Sequence, residues 1–410
     1  MKILYLCHRY PYPPTRGGKI MPFHQIRHLG EQGHQVTVCT LLRSDEEVAD
    51  AAQPPGLAAY CHALHAVRVR EPIQILRMIA RLPTRTPSSM GYFHSPELAA
   101  KVRRLLAAEK WDLIFVHCSS MAQYVADVTG TPKLLDFCDM DSQKWLDYSR
   151  AKPWPLWIGY RIEGAKLHDE EKRLARKFDL CTVTTRAELK TLDSYRTGTA
   201  TDWFPHGVDS EYFSPTDAAY EPETLSFIGR MDYYPNQQAM RRFCADVWPL
   251  LRQRRPALQL LIVGANPSAA IRRLAKLPGI TVTGSVPDVR PWVRRSALMV
   301  APLTIARGTQ NKILEAMAMG VPVLTSRKAA AGVDAEPGRD LLAADSVEEM
   351  VAGIESVLAD PAERRRLAVA GRERVMNHHD WKVGMGRMEG CVGKCVKVGA
   401  TTPVVAGLQR

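Results

Sequence analysis

The chain has 410 residues, 46% of them hydrophobic and 24% charged, and a formal net charge of +12. That length suits two domains that each bury a core, and the composition excludes a fibrous or disordered chain. The apolar run Ile3 to Cys7 is far too short for a signal peptide or a membrane span, and nine scattered cysteines without a C-x-x-C pair point to free thiols in a reducing, cytoplasmic compartment.

The first block opens with a strand at Lys2–Cys7, a loop at His8–Gly18 and a helix closed at Gly33. The strand Gln35–Leu42 follows. Arg68 to Lys110 is basic, with Arg70, Arg77, Arg81, Arg85, Lys101, Arg103, Arg104 and Lys110. Ile73, Leu76, Ile79 and Ala80 alternate with arginines there at helical spacing. Such a helix can lie on a membrane, but packing of its apolar face on its own domain is the preferred reading. Strands are predicted at Ala66–Val69, Leu113–Val116, Lys133–Asp136 and Leu180–Thr184, with a long charged helix from about Tyr160 to Lys177.

Phe204–Pro222, rich in Pro, Gly and Asp, reads as a linker. The second block restarts with a strand at Leu225–Ile228, a loop at Gly229–Asn236 and a helix at Gln237–Leu251. Strands at Leu258–Val263, Ile280–Thr283 and Leu298–Ala301 come next, then helices at about Val347–Leu358 and Pro361–Met376. The glycines Gly384, Gly386, Gly390 and Gly393 predict a poor, short helix after Trp381 and a loose tail. Strands alternating with helices mean two doubly wound parallel sheets: residues 1–205, a linker at 206–222, residues 223–378, and a return segment at 379–410.

Ala301 to Leu324 carries the strongest chemical signal. It reads as strand end, polar loop, short helix and strand. Thr309 stands where an N-cap is expected, and Gly320 with Pro322 stop the helix. A helix N-terminus behind Gly308, Thr309, Gln310 and Asn311, with Lys312 in its first turn, suits a phosphate-bearing ligand. Glu315 lies one turn on. Two further loops follow strand ends, where open parallel sheets bind ligands. Gly17 and Gly18 let backbone approach a ligand or simply form a turn. Gly229 and Arg230 offer a guanidinium to a phosphate, or a surface ion pair. His117 ends a strand. Asp136, Asp139 and Asp141 cluster after the next, but a helix cap explains them equally, and no metal site is predicted. Neither G-x-G-x-x-G after a strand nor G-x-x-x-x-G-K-[ST] occurs, which argues against dehydrogenases and kinases.

The ordered motifs K-I-L-Y-L, G-G-K, L-G-E-Q-G-H-Q-V-T-V, P-H-G-V-D (His206–Asp209), F-I-G-R-M, L-I-V-G and N-K-I-L-E-A-M-A-M-G-V-P-V resemble retaining glycosyltransferases of family four, with the GT-B fold. P-H-G-V-D-S-E-Y-F-S-P and G-R-M-D-Y-Y-P-N resemble the sugar transferases of PEP-CTERM/exosortase exopolysaccharide systems. The resemblance implies two Rossmann-like domains facing a cleft and metal-independent transfer of a hexose. The donor would be a UDP- or GDP-sugar, used as substrate with no separate cofactor, and the acceptor a glycolipid or polysaccharide. Arg230 and Lys312 would hold the donor diphosphate and Glu315 the ribose. Gly17 and Gly18 would lie against phosphate and acceptor, and His117 near the reacting sugar. Arg307 replaces a family glutamate, and Met231 to Pro235 lacks a family lysine. An inactive scaffold, or a basic protein binding membranes or nucleic acid, is the alternative. No aromatic platform accompanies the charge, so an anionic membrane at the inner face of the cytoplasmic membrane is favoured over nucleic acid.

Overall fold

The computed structural model describes residues 1–15, 17–53 and 56–401. Two units emerge: Met1–Phe204 with Met385–Arg410, and Pro205–Gly384. Each is built on one parallel sheet.

In the first unit the strands are β1 (Lys2–Cys7), β2 (Gln35–Leu42), β3 (Ala63–Arg68), β4 (Leu113–His117), β5 (Lys133–Cys138), β6 (Leu180–Val183) and β7 (Ala200–Trp203). Their order is β3-β2-β1-β4-β5-β6-β7, every pairing parallel. In the second unit β8 (Glu221–Ile228), β9 (Gln259–Val263), β10 (Ile280–Gly284), β11 (Ser296–Ala301), β12 (Val323–Thr325) and β13 (Leu342–Ala343) run β10-β9-β8-β11-β12-β13, again parallel. Apolar runs such as Ile3–Cys7 and Leu260–Val263 make the central strands. Every residue of β4 and of β11 is buried, as expected where helices cover both faces of a sheet. Both sheets reverse their winding once, between β1 and β4 and between β8 and β11. Strand ends at such a switch point diverge and leave room for a ligand.

Several elements differ from expectation. The stretch read as a linker is packed into the second unit. Val208 joins its core, the Arg290 guanidinium lies 3.7 Å from the Tyr212 ring centroid, and β8 already begins at Glu221. The helix expected at Gln237–Leu251 is interrupted by a π-turn at Phe243–Val247. Pro249, near the start of the next helical segment, lacks the N–H that an unbroken ladder needs.

The last helix is not short: it runs Trp381–Thr401, and the unit boundary falls inside it. Its glycines permit close approach, since a Cβ on Gly384 would meet the Pro205 carbonyl at 2.8 Å and one on Gly399 would meet Pro132 Cγ at 2.7 Å. Met385, Met388, Cys391, Val392 and Cys395 form its buried stripe. Packing outweighs the low propensity. Residues 402–410 of the expected loose tail lie outside the described residues. The amphipathic helix Glu71–Ala80 forms, but its apolar side chains are exposed, against the preferred reading.

Candidate functional site

The second unit gathers its predicted residues around the β8/β11 switch point. After β8, Gly229 adopts φ +151°, and after β9, Gly264 adopts φ +147°. The two backbones touch: a Cβ on Gly264 would stand 1.9 Å from the Gly229 carbonyl oxygen. Only glycine fits at that crossing. A Cβ on Gly229 would come within 2.8 Å of Asn236 Nδ2 and 3.3 Å of Lys312 Nζ, so the lysine is brought beside the Gly229 backbone.

Lys312 lies in the first turn of the helix Asn311–Ala318, whose Ile313, Leu314, Ala316, Met317 and Ala318 are buried. Its ammonium donates to Asn236 Oδ1 at 2.5 Å and sits 4.7 Å from the Phe227 ring centroid. Asn236 Nδ2 in turn donates to the Arg230 carbonyl at 2.8 Å. One amide thus ties the turn after β8 to the helix after β11. Burial lowers the Lys312 pKa to about 8, and Glu315 opposes that shift. Burial raises Glu315 to about 7, with Lys312 opposing. Burial thus moves both groups toward neutrality from opposite sides.

Thr309 is not the N-cap. Gln310 occupies that position at φ −95°, ψ 88° and makes no side-chain cap, because the loop reaches the helix through Gly308 at φ +58°. The Gly308 carbonyl is itself pinned: a Cβ on Gly332 would stand 2.4 Å from it. The Thr309 hydroxyl is buried without a hydrogen-bond partner, and the helix N–H groups receive no side-chain cap. Uncapped N–H groups, a spare hydroxyl and an ammonium share one loop, a ready anion cradle. Arg230 is half-exposed and held by Asp232, with Nη2–Oδ2 at 2.5 Å and Nε–Oδ1 at 3.1 Å. The ion pair raises its pKa. Arg230 therefore stands at the rim, already engaged by a carboxylate, while Lys312 is at the centre.

In the first unit, His117 ends β4 and is buried. Its Nδ1 lies 3.0 Å from Asp136 Oδ2. Asp136 is fully buried, and its other donors are Gln25 Nε2 at 2.9 Å, the Cys138 N–H at 3.0 Å and Thr182 Oγ1 at 3.3 Å. The carboxylate therefore fixes the histidine ring. His117, Asp136 and Cys138 bring ligand atoms within 4.8 Å of one another. Both Asp136 oxygens accept hydrogen bonds, and burial pushes the Cys138 thiol well up. Asp139 is pushed up to about 7 by burial and then by Glu188, and Asp141 begins a helix.

Cys118, directly after β4, and Cys138, the last residue of β5, take φ +79° and +66°. Such left-handed non-glycine residues cluster where backbone geometry serves a site. His8, directly after β1, lies face to face with His117 at 6.1 Å, and Arg9 Nε donates to it at 3.2 Å. Burial, then Arg9, His117 and Arg43, push His8 well below the usual histidine range. Arg43, after β2, contacts Tyr92 through its guanidinium, 4.9 Å from the ring centroid. Gly17 and Gly18 open the helix Gly17–Glu31, and Gly18 takes no positive φ, so a left-handed turn does not account for Gly18. Added Cβ atoms would meet open space at Gly17 and only the Arg9 side chain, at 3.5 Å, at Gly18.

Sequence reasoning missed His8, Arg9, Arg43, Asn236 and Gly264. Four of them directly follow the β1, β2 or β9 strand ends, or lie one residue beyond, and the strand-end rule applied to every strand finds them. Asn236 lies within a helix and offered no such signal.

Comparison with known proteins assigns both units. Residues 18–201 match the family "Glycosyl transferase 4-like domain", and residues 222–360 match "Glycosyl transferases group 1". The chain carries glycosyltransferase domains in both of its units. A curated relative, the MMP α-(1→4)-mannosyltransferase of Mycolicibacterium hassiacum, is 24% identical over 386 residues, covering 88% of this chain and 90% of the relative. Among solved structures, sucrose-phosphate synthase from Thermosynechococcus elongatus superposes with a TM-score of 0.70 at 17% identity, over 96% of this chain and 99% of that one. Anabaena HepE in complex with UDP gives 0.65 at 16% identity, over 96% and 100%. The fold is that of the GT-B glycosyltransferases.

Proposed function

We propose that the protein is a retaining hexosyltransferase that takes its sugar from a UDP- or GDP-linked donor. The Lys312 cradle carries this reading: an ammonium, uncapped helix N–H groups and the Thr309 hydroxyl converge on a loop shaped by Gly229, Gly264 and Gly308. HepE binds UDP and, in a second structure, UDP-glucose, which supports a nucleotide-sugar donor.

As the anomeric C–O bond breaks, negative charge grows on the β-phosphate. Lys312 and the helix N–H groups meet it; each preorganised donor of this kind is worth about 3 kcal/mol of barrier. Glu315, as the carboxylate, accepts hydrogen bonds from the ribose hydroxyls. By the family resemblance His117 of the first unit serves the reacting sugar, and the acceptor hydroxyl attacks from the face the diphosphate leaves. The departing phosphate accepts that hydroxyl's proton. Arg9 and Arg43 give the strand ends of this unit a positive character that suits a lipid-linked, phosphate-bearing acceptor. A role in exopolysaccharide assembly at a membrane follows from that acceptor and from the PEP-CTERM-like motifs.

Incubation with UDP- and GDP-hexoses tests the reading. Slow release of nucleoside diphosphate is expected from one of the two series, with an α-anomeric first product by NMR from an α-linked donor. A protein that binds no nucleotide sugar and releases no diphosphate lacks the proposed activity.

A further inference from the structure

We propose that the helix Glu71–Ala80, the turn after it and the start of the helix Leu156–Ala175 form one surface that seats on an anionic phospholipid bilayer. The inference deepens the lipid-linked acceptor reading and rests on it only for its purpose; the surface is argued from its own geometry.

The first helix is inside out. Its buried residue is Gln74, whose Nε2 donates to the carbonyls of Tyr92 and, at 3.1 Å, His94. Ile73, Ile75, Leu76 and Ile79 are exposed, Leu76 to 64%, and Leu82 just beyond is 58% exposed. A helix stabilised by a soluble core does the reverse. The polar anchor fixes the orientation, so the apolar face cannot roll inward without unpairing Gln74.

A second apolar set lies alongside. Trp154 is 78% and Leu156 57% exposed, and Ile158 and Ile162 continue along one stripe of their helix with Lys166. Lys166 Nζ donates to the carbonyls of Arg81 at 3.3 Å and Leu82 at 2.8 Å. Glu163 accepts from the N–H groups of Ser88 and Ser89 at 3.0 and 2.9 Å. These bonds tie the second helix to the turn that follows the first and to the start of the helix Ser88–Tyr92, all within the first unit.

Charge selects the occupant. Arg70, Arg77, Arg81 and Arg85 flank the first apolar set, and Arg161 and Lys166 flank the second. The acids are few: Glu163 is buried and engaged, and Glu71 contacts Tyr92. Large exposed aliphatic and indole groups rimmed by arginine fit acyl chains beneath anionic headgroups. No helix among the described residues is long and apolar enough to cross a membrane, so the surface would lie on the bilayer.

The test is sedimentation of the full chain, at low salt, with phosphatidylcholine vesicles containing or lacking phosphatidylglycerol. Binding is expected only with the anionic lipid, and brominated acyl chains should quench fluorescence in wild type but much less in Trp154→Phe. Leu76→Asp with Ile79→Asp should weaken binding about tenfold or more. Arg70→Glu with Arg85→Glu should abolish the anionic preference. The substituted side chains are exposed, so thermal stability and donor hydrolysis should stay at wild-type levels. Three results overturn the proposal. One is absence of vesicle binding. Another is binding unaffected by the Leu76 and Ile79 changes. The third is a dimer that those changes convert to monomer, which would make the face a contact between copies. Donor hydrolysis by a protein that ignores vesicles would sink this surface and leave the transferase reading standing; vesicle binding without hydrolysis would do the opposite.

Discussion

Replacing Lys312 with methionine should make the free protein more stable and the donor site useless. The native pKa of about 8, against 10.5 for an ordinary lysine, means that the folded state disfavours the ammonium. The sign follows from linkage. A group depressed on folding stabilises the fold fully only above its unfolded pKa, and loses that contribution as pH falls through the native value. At pH 7 the charged lysine therefore costs about 3 kcal/mol. Methionine removes that cost but leaves Asn236 Oδ1 without its donor, a penalty of about 1–2 kcal/mol. A net gain of about 1–2 kcal/mol remains, worth roughly 2–8 °C in a domain of this size. Donor binding should move the other way. Loss of the central cation should slow turnover by about 10²–10³-fold. The assay is thermal unfolding at pH 7 with and without nucleoside diphosphate. Wild type at a hundredfold excess over Kd should gain about 2.7 kcal/mol, and the variant close to none. A Lys312→Met protein that is less stable when free and still shifts fully with nucleotide would refute both the burial argument and the placement of the diphosphate.

Donor affinity should peak between about pH 7 and 8: above 8 Lys312 loses its proton and its charge, and below 7 Glu315 gains one and ceases to be a pure acceptor. Lys312→Arg should erase the alkaline limb of an affinity titration while leaving the acid limb. Gly264→Ala puts a methyl 1.9 Å from the Gly229 carbonyl at φ +147°, so the strand-end loop must move by more than about 1 Å. We expect about 10²-fold lower turnover and a loss of about 1–3 kcal/mol in denaturant unfolding. Gly338→Ala, likewise at positive φ (+85°) but in open space and away from the cradle, is the matched control. His117→Ala should reduce transfer by about 10²-fold yet leave the nucleotide-induced thermal shift intact, because the histidine and the cradle belong to different units. Loss of that shift would contradict this division of labour.

Much of this architecture was legible in the residues. β1 and β2 end where their buried runs do, at Cys7 and Leu42, since parallel strands covered on both faces are rich in apolar and β-branched residues. The loop before Asn311 was readable because glycine, hydroxyl and lysine converge in a few positions. What escaped was set by tertiary contact. β13 has two residues and exists only because β12 offers it a ladder. The helix from Trp381 is held by close approach at its glycines, which composition alone scores as weakness. Gln74 pointing inward inverted the expected helix face, and no periodicity reveals which side of an amphipathic helix meets the core. Asn236 acts across seventy-odd residues of chain, so its role appears only once the strands are ordered.

That same asparagine sets a chemical vulnerability. Its carboxamide can be turned only one way, oxygen to the ammonium and nitrogen to the Arg230 carbonyl. Hydrolytic ageing to aspartate would swap a single NH2 for O. The new carboxylate would face a carbonyl lone pair on one side and neutralise the lysine on the other, so a one-dalton mass gain at this residue should track with lost nucleotide binding in stored protein.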